Sequence, residues 1–204
     1  MHGLNPFNGR DHAKSTWTAP NGKLWLKDFL PDQIPQARIF LFSYNANPAF
    51  SSGSEGVYEQ ANNLLVKLNV ERDEAPNRPL IFICHSLGGL IVKRAMVQAQ
   101  QGRTYERLVK SVYGLVFFAT PHRGGNNAGL GDVAARIARF VVRTQPNSYL
   151  TALRSNGFFA EALRYDFRNR QEDFLILTFY ETQPTMAGIV SPANLSRSRL
   201  ASNS

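Results

Sequence analysis

The stretch with the greatest chemical potential is Cys84-His85-Ser86-Leu87-Gly88-Gly89. A serine hydroxyl is a weak nucleophile unless the backbone holds it in the open and a base takes its proton. Here the serine stands between two apolar runs, Ile81-Phe82-Ile83-Cys84 and Leu90-Ile91-Val92, which read as a strand, a sharp turn and a helix. In a nucleophile elbow that turn is strained and lifts the hydroxyl above a parallel sheet. The residues two before and two after the serine pack across the turn and must be small; here they are Cys84 and Gly88. The N–H of Leu87 would open the helix and point into the site, where anionic oxygen is favoured. A serine in a glycine-rich turn after a buried strand is also common without catalysis. The strand before it, Gly88-Gly89 after it and the apolar helix beyond favour the elbow.

Positioning that turn requires a sheet. The strand Leu80 to Cys84 is followed by a helix to about Gln101 and a second buried strand, Tyr113 to Ala119. That strand runs into Thr120-Pro121-His122-Arg123-Gly124-Gly125, a loop at the C-terminal rim where ligands bind in open α/β sheets. Upstream, Ile39 to Tyr44 is apolar on both faces, the pattern of a strand inside a parallel sheet. Before it, Trp17, Leu24-Trp25-Leu26, Phe29 and Leu30 suggest a short helix that ends ahead of Pro31. Val57, Ala61, Leu64, Leu65 and Leu68 recur at helical spacing and predict a helix from about Glu55 to Asn69. Val133 to Val142, Tyr149 to Arg154 and Phe158 to Phe167 read as further helices, and Phe174 to Tyr180 as a last strand. The alternation gives an α/β class with a mostly parallel sheet and helices on both faces. One domain is expected over residues 1–190, with a disordered polar tail over 191–204.

Composition narrows the possible roles. The chain has 204 residues and a net charge of +8, from 23 Lys and Arg against 15 Asp and Glu. Arg136, Arg139 and Arg143, with Arg164, Arg168 and Arg170, could present a basic face to anionic lipid. A solvated helix surface is the preferred reading of them, and without a nucleic-acid motif no nucleic-acid partner is expected. No apolar run approaches the roughly 20 residues of a membrane helix. One cysteine excludes an internal disulfide, and no basic start followed by an apolar core precedes the domain, so an intracellular, cytoplasmic setting is expected. There is neither a phosphate-binding glycine loop nor a Cys/His cluster at metal spacing, so no cofactor or metal is expected.

His2-Gly3-Leu4, Trp17, Leu24-Trp25-Leu26, Tyr44, His85-Ser86-Leu87-Gly88-Gly89-Leu90, Phe118-Ala119-Thr120-Pro121-His122-Arg123-Gly124 and Phe179-Tyr180-Glu181-Thr182 form a specific set. Together they resemble the lipase-like α/β-hydrolase domain of fungal NACHT and ankyrin-repeat receptors. They are also similar to the serine-active-site-containing proteins tied to phosphatidylglycerol remodelling. The resemblance implies an α/β-hydrolase fold, with Ser86 as nucleophile and the N–H groups of Leu87 and Leu4 as an oxyanion hole. It implies Glu181 as the acid that orients the base, although an ordinary strand-end carboxylate is an equal reading. It further implies an ester or lipid substrate, association with a mitochondrial or endoplasmic-reticulum membrane, and other domains of a larger receptor as partners.

Two departures accompany the resemblance. Relatives carry their catalytic histidine after Glu181, whereas no histidine here lies beyond His122; relatives also have a strand leading into the His-Gly dipeptide, which here begins one residue after Met1. The domain therefore looks incomplete at both ends. His122 near the strand rim and His2 are possible accessory groups, His85 is expected to point away from Ser86, and a structural hydrogen bond is the expected job of His2 and His12. Two functions follow: a serine hydrolase acting on a carboxylic ester, plausibly of a lipid, or a catalytically inactive signalling or binding module on the same scaffold. A third, an anionic-surface binder, would show a steep loss of binding with salt.

Overall fold

The computed structural model describes residues 1–3, 5, 9–46, 54–120, 122, 162–181 and 195–199. Three helical turns, α1 (His12–Ser15), α2 (Trp25–Asp28) and α3 (Leu30–Gln33), precede the long helix α4 (Ser54–Glu71). Then come β1 (Leu80–His85), α5 (Leu87–Ala99), α6 (Glu106–Ser111) and β2 (Val112–Phe118). A helical stretch over 162–168 leads to β3 (Leu175–Glu181) and β4 (Leu195–Arg199). The sheet order is β1-β2-β3-β4, with the first three strands parallel and β4 antiparallel to β3. This is an α/β arrangement with a small parallel sheet, as the alternating pattern predicts.

The core lies on one face of that sheet. Phe82, Leu115 and Ile176 share one row and Cys84, Phe117 and Thr178 the next. Val57, Ala61, Leu64, Leu65 and Leu68 of α4, the five positions expected from their spacing, are all buried in the same cluster. The α5 helix is buried nearly all round, as an apolar helix between a sheet and a second helix must be. Leu163 and Phe167 from the 162–168 stretch complete the cluster.

The opposite face is covered only in part by the described residues. Its upper row, His85-Phe118-Phe179, is capped: Phe118 stacks on Phe179 at 4.8 Å, and Trp17 meets Phe118 edge-on at 6.0 Å. The lower row is open, with Ile81 52% and Leu175 60% exposed. No described helix is long and apolar enough to cross a membrane.

Three expectations need correction. Residues 39–44 form no strand; Ile39, Phe40 and Leu41 are exposed. A strand exists only where its backbone finds a ladder partner, and the neighbour of β1 on that side is Met1. Its ammonium donates to the Ile83 carbonyl at 2.9 Å, while its carbonyl accepts from the His85 N–H at 3.1 Å. The 44–46 stretch is tied instead to His2 and Asn5 through single hydrogen bonds. The helical run near Pro31 does not end before it: α3 starts at Leu30 with the proline in its first turn, where a missing N–H costs nothing. Finally, residues 195–199, inside the stretch expected to be a disordered tail, pair with β3. The helices expected over Val133 to Val142 and Tyr149 to Arg154, with Arg136, Arg139 and Arg143, lie outside the described residues. Arg164, Arg168 and Arg170 are exposed.

Candidate active site

Ser86 sits at the tip of the turn between β1 and α5 with φ 50° and ψ −119°. A non-glycine residue with such a φ costs on the order of 1–3 kcal/mol, and the surroundings must enforce it. They do so through the backbone. The Ser86 N–H donates to the Phe118 carbonyl at the end of β2, and its carbonyl accepts from the Gly89 N–H. Ala119, which follows Phe118, also has a positive φ, 47°, and its N–H donates to the Phe179 carbonyl of β3. Two strained residues on adjacent strands thus share one hydrogen-bonded rim.

The small residues around Ser86 allow close approach. A side chain on Gly88 would stand 2.5 Å from the His2 carbonyl and 2.9 Å from Met1 Cβ, and one on Gly3 would stand 2.8 Å from His85 Nδ1 and 3.0 Å from Ser86 Cβ. A side chain on Gly89 would run into Thr120. The His2-Gly3 segment therefore lies directly against the turn. Leu87 is the first residue of α5, so its N–H is one of the unpaired donors of a helix N-terminus. Leu4 lies outside the described residues.

The four histidines take distinct places. His2 is fully buried, stacked on Tyr44 with ring centroids 4.1 Å apart. Its Nδ1 donates to the Gly3 carbonyl at 2.8 Å and its Nε2 accepts from the Tyr44 N–H at 3.3 Å, which fixes the tautomer. The Tyr44 hydroxyl donates to the His2 carbonyl at 2.7 Å. Burial brings the His2 pKa down to about 4. His12 meets the His2 ring edge-on at 5.1 Å. His85 shares a row with Phe118 on the sheet face opposite the core; its ring nitrogens are shielded from solvent and unpartnered, and burial lowers its pKa to about 4.

His122 is half-buried and bonded within its own cluster. Its Nδ1 accepts from the Lys93 ammonium at 2.8 Å, its Nε2 lies 3.4 Å from Thr178 Oγ1, and its ring stands edge-on to Phe117 at 5.0 Å. Burial, followed by the Lys93 charge, lowers its pKa to about 3. A base needs a free ring nitrogen within reach of the hydroxyl, and no histidine is hydrogen-bonded to Ser86 among the described residues. Glu181 ends β3 opposite Leu195 of β4, two residues beyond Phe179, on the same rim two strands from the turn. The structure thus brings together Ser86, Leu87 and the His2-Gly3 segment, and it ties His122 to a different cluster. Lys93 and Ala119 escape a motif search. The one available signal was a lysine directly after the apolar run Leu90-Ile91-Val92.

No described group of three or more His, Cys, Asp or Glu side chains could hold a metal ion. Cys84, beneath the turn, is fully buried, and burial pushes its thiol up to about 12, so it serves as a small packing residue. A polar cleft of about 310 Å³ borders the His2 side, lined by His2, Arg10, His12, Ser43 and Tyr44 among others.

The family model described as "Putative serine esterase (DUF676)" matches residues 20–157, well over half of the chain and the whole strand-turn-helix around Ser86. The chain belongs to this serine esterase family. Its resemblance to curated proteins lies in the same direction. Protein SERAC1 of Mus musculus is 27% identical over 175 residues, that of Homo sapiens 25% over 175, and that of Danio rerio 28% over 171; each alignment covers 80% of this chain and 25% of the relative. The chain thus spans about a quarter of the length of the curated relatives it matches. No solved structure matches it. Among the described residues of this DUF676 member, Ser86 is the serine with a positive φ.

Proposed function

We propose that these residues form an α/β-hydrolase-type domain that attacks a carboxylic ester, plausibly of a lipid, with Ser86 as nucleophile. The observation that carries the reading is the backbone of Ser86, φ 50° and ψ −119° between a parallel strand and a helix N-terminus, in a chain of a serine esterase family. In this reading Ser86 Oγ adds to the ester carbonyl, the carbonyl oxygen becomes anionic, and the Leu87 N–H, with that of Leu4, stabilises it. As the adduct collapses, the C–O bond to the alcohol breaks and the alcohol leaves with the proton that the base took from Ser86; water then hydrolyses the acyl-serine to the acid and free serine. Glu181 is the group proposed to orient the base.

The base is the weak point of these 204 residues. His2 and His122 are bonded to other partners, His12 packs on His2, and His85 lies in the row of Phe118 with no hydrogen bond to Ser86, so the reading requires an imidazole other than these four. A serine site lacking one triad member keeps only the rate factor of the oxyanion hole and binding, on the order of a thousandfold over water. The committed histidines favour a second reading for the chain as it stands, a binding or signalling module on the hydrolase scaffold. Peripheral contact with anionic membrane and partnership with further receptor domains belong to the same proposal, as does a mitochondrial or endoplasmic-reticulum site of action. Hydrolysis of a short-chain nitrophenyl ester by the chain, and by a form extended to include a downstream histidine, tests both. Activity of the extended form that Ser86→Ala abolishes supports the esterase; inactivity of both forms supports the module.

A further inference from the structure

We propose that Lys93 is a positioning residue for the Ser86 turn: acting through His122, its buried ammonium staples the helix that carries the Leu87 N–H to the strand end that backs Ser86. The catalytic meaning of this staple rests on the Ser86 reading, but its geometry and its test do not.

Lys93 is only 4% exposed, two turns along α5 from Ser86. An ammonium so placed is expensive to desolvate, and such groups are normally paired with a carboxylate. Among the described residues none pairs with it. Its partners are the neutral His122 ring at 2.8 Å and the faces of Phe117 and Phe167, whose centroids lie 5.5 and 5.3 Å away. Ring faces attract a desolvated cation, and an imidazole lone pair accepts its hydrogen bond. The cation fixes the His122 tautomer, so the remaining Nε2–H is directed at Thr178 of β3. A methionine or leucine would fill the space at no charge cost, so a lysine retained here marks a local rule broken in favour of geometry.

The contacts explain what is held. His122 stands three residues past Ala119 and two past Thr120. Ala119 has its φ of 47°, Thr120 packs on Gly89 of α5, and the Phe118 carbonyl just before them accepts the Ser86 N–H. The staple therefore joins α5, the exit of β2 and β3 behind the two strained residues. Burial, followed by the nearby Arg164 guanidinium, brings the Lys93 pKa down to about 8, as expected of an ammonium held at a cost.

The test compares Lys93→Met with the unaltered chain by thermal melting and amide hydrogen exchange. Removing a costly buried charge should keep the melting temperature within about 4 °C, while exchange of the amides of Ser86 to Gly89 and of Ala119 and Thr120 accelerates at least tenfold. Unchanged exchange at those amides, or a general acceleration with a large drop in melting temperature, would overturn the proposal, the latter by making Lys93 an ordinary structural residue. Failure of Lys93→Met to fold would count equally against it. His122→Asn keeps an acceptor for Lys93 and should preserve protection at the turn, whereas His122→Leu should lose it; equal protection in the two would also contradict the staple. Because exchange needs no reaction at Ser86, a positive exchange result stands even where the extended form proves inactive, an outcome that refutes the esterase reading alone.

Discussion

On one flank of Ser86 the His2 imidazole is kept neutral by burial and is oriented by backbone groups, donating to the Gly3 carbonyl and accepting from the Tyr44 N–H. On the other flank the His122 imidazole is kept neutral by burial and then by a cation, accepting from the Lys93 ammonium. Both rings lie near the turn and both have a strongly lowered pKa, yet they do different work. The His2 side presses the first residues of the chain onto the elbow by close packing and short local bonds. The His122 side couples three separate elements through one side-chain chain of contacts. The difference teaches that a histidine near a nucleophilic serine is not thereby its base; what each ring nitrogen already holds decides the matter.

The largest expected effect breaks the His2 flank and leaves the other intact. Gly88→Ala places a methyl 2.5 Å from the His2 carbonyl, a backbone atom that cannot turn aside. It should cost about 3 kcal/mol, at the upper end for overpacking, in chemical denaturation. It should also speed hydrogen exchange at His85, whose N–H bonds Met1. Retained stability would mean that the His2-Gly3 segment does not pack against the turn.

Acid should come next, and it acts on both flanks. A histidine whose folded pKa lies below its unfolded value of about 6.5 binds more protons when unfolded. The stability tied to its neutral form is then complete above pH 6.5 and lost as the pH falls through the folded value. For His2 and His85 that window runs from 6.5 to about 4, and for His122 it extends to about 3. Melting temperature should therefore drop steadily between pH 6.5 and 4. His85→Phe, which removes an imidazole with no hydrogen bond to lose, should make the decline shallower; an identical slope would contradict the assignment.

Much of this molecule was legible from residue pattern, and the exceptions have physical causes. The strand-turn-helix at Ser86, the buried face of α4 and the parallel strands β2 and β3 follow from periodicity and small residues at the turn. Those signals are local. Residues 39–44 read as a strand because they are apolar, but a strand is a pairing and no ladder partner meets them. The β4 segment, Leu-Ser-Arg-Ser-Arg, reads as disordered because its composition is polar, yet the edge of β3 supplies backbone partners that composition does not record. The cluster of Lys93, His122 and Thr178 was illegible for a related reason: its members lie 29 and 56 residues apart and meet only through the fold.

Smaller effects sharpen the contrast between function and stability. Ser86→Gly should stabilise the chain by about 1 kcal/mol, since glycine adopts the positive φ without strain and the serine is held there at a cost. Urea unfolding of the two forms checks it, and a loss of stability would show that the Ser86 side chain contributes packing. Tyr44→Phe removes the hydroxyl bond to the His2 carbonyl and should cost about 1 kcal/mol in the same experiment. No change would place the hold on His2 in ring stacking alone.

The central claim is that Ser86 is held in nucleophile geometry without a working base among these 204 residues. Release of nitrophenol from a short-chain ester by the purified chain, measured beside Ser86→Ala and His122→Ala, tests it most directly. The account expects all three to turn over alike, no faster than the roughly thousandfold over water that an oxyanion hole and binding alone supply. Vigorous hydrolysis that disappears in Ser86→Ala would contradict it, and its loss in His122→Ala as well would make His122 the base that its bonds to Lys93 and Thr178 argue against.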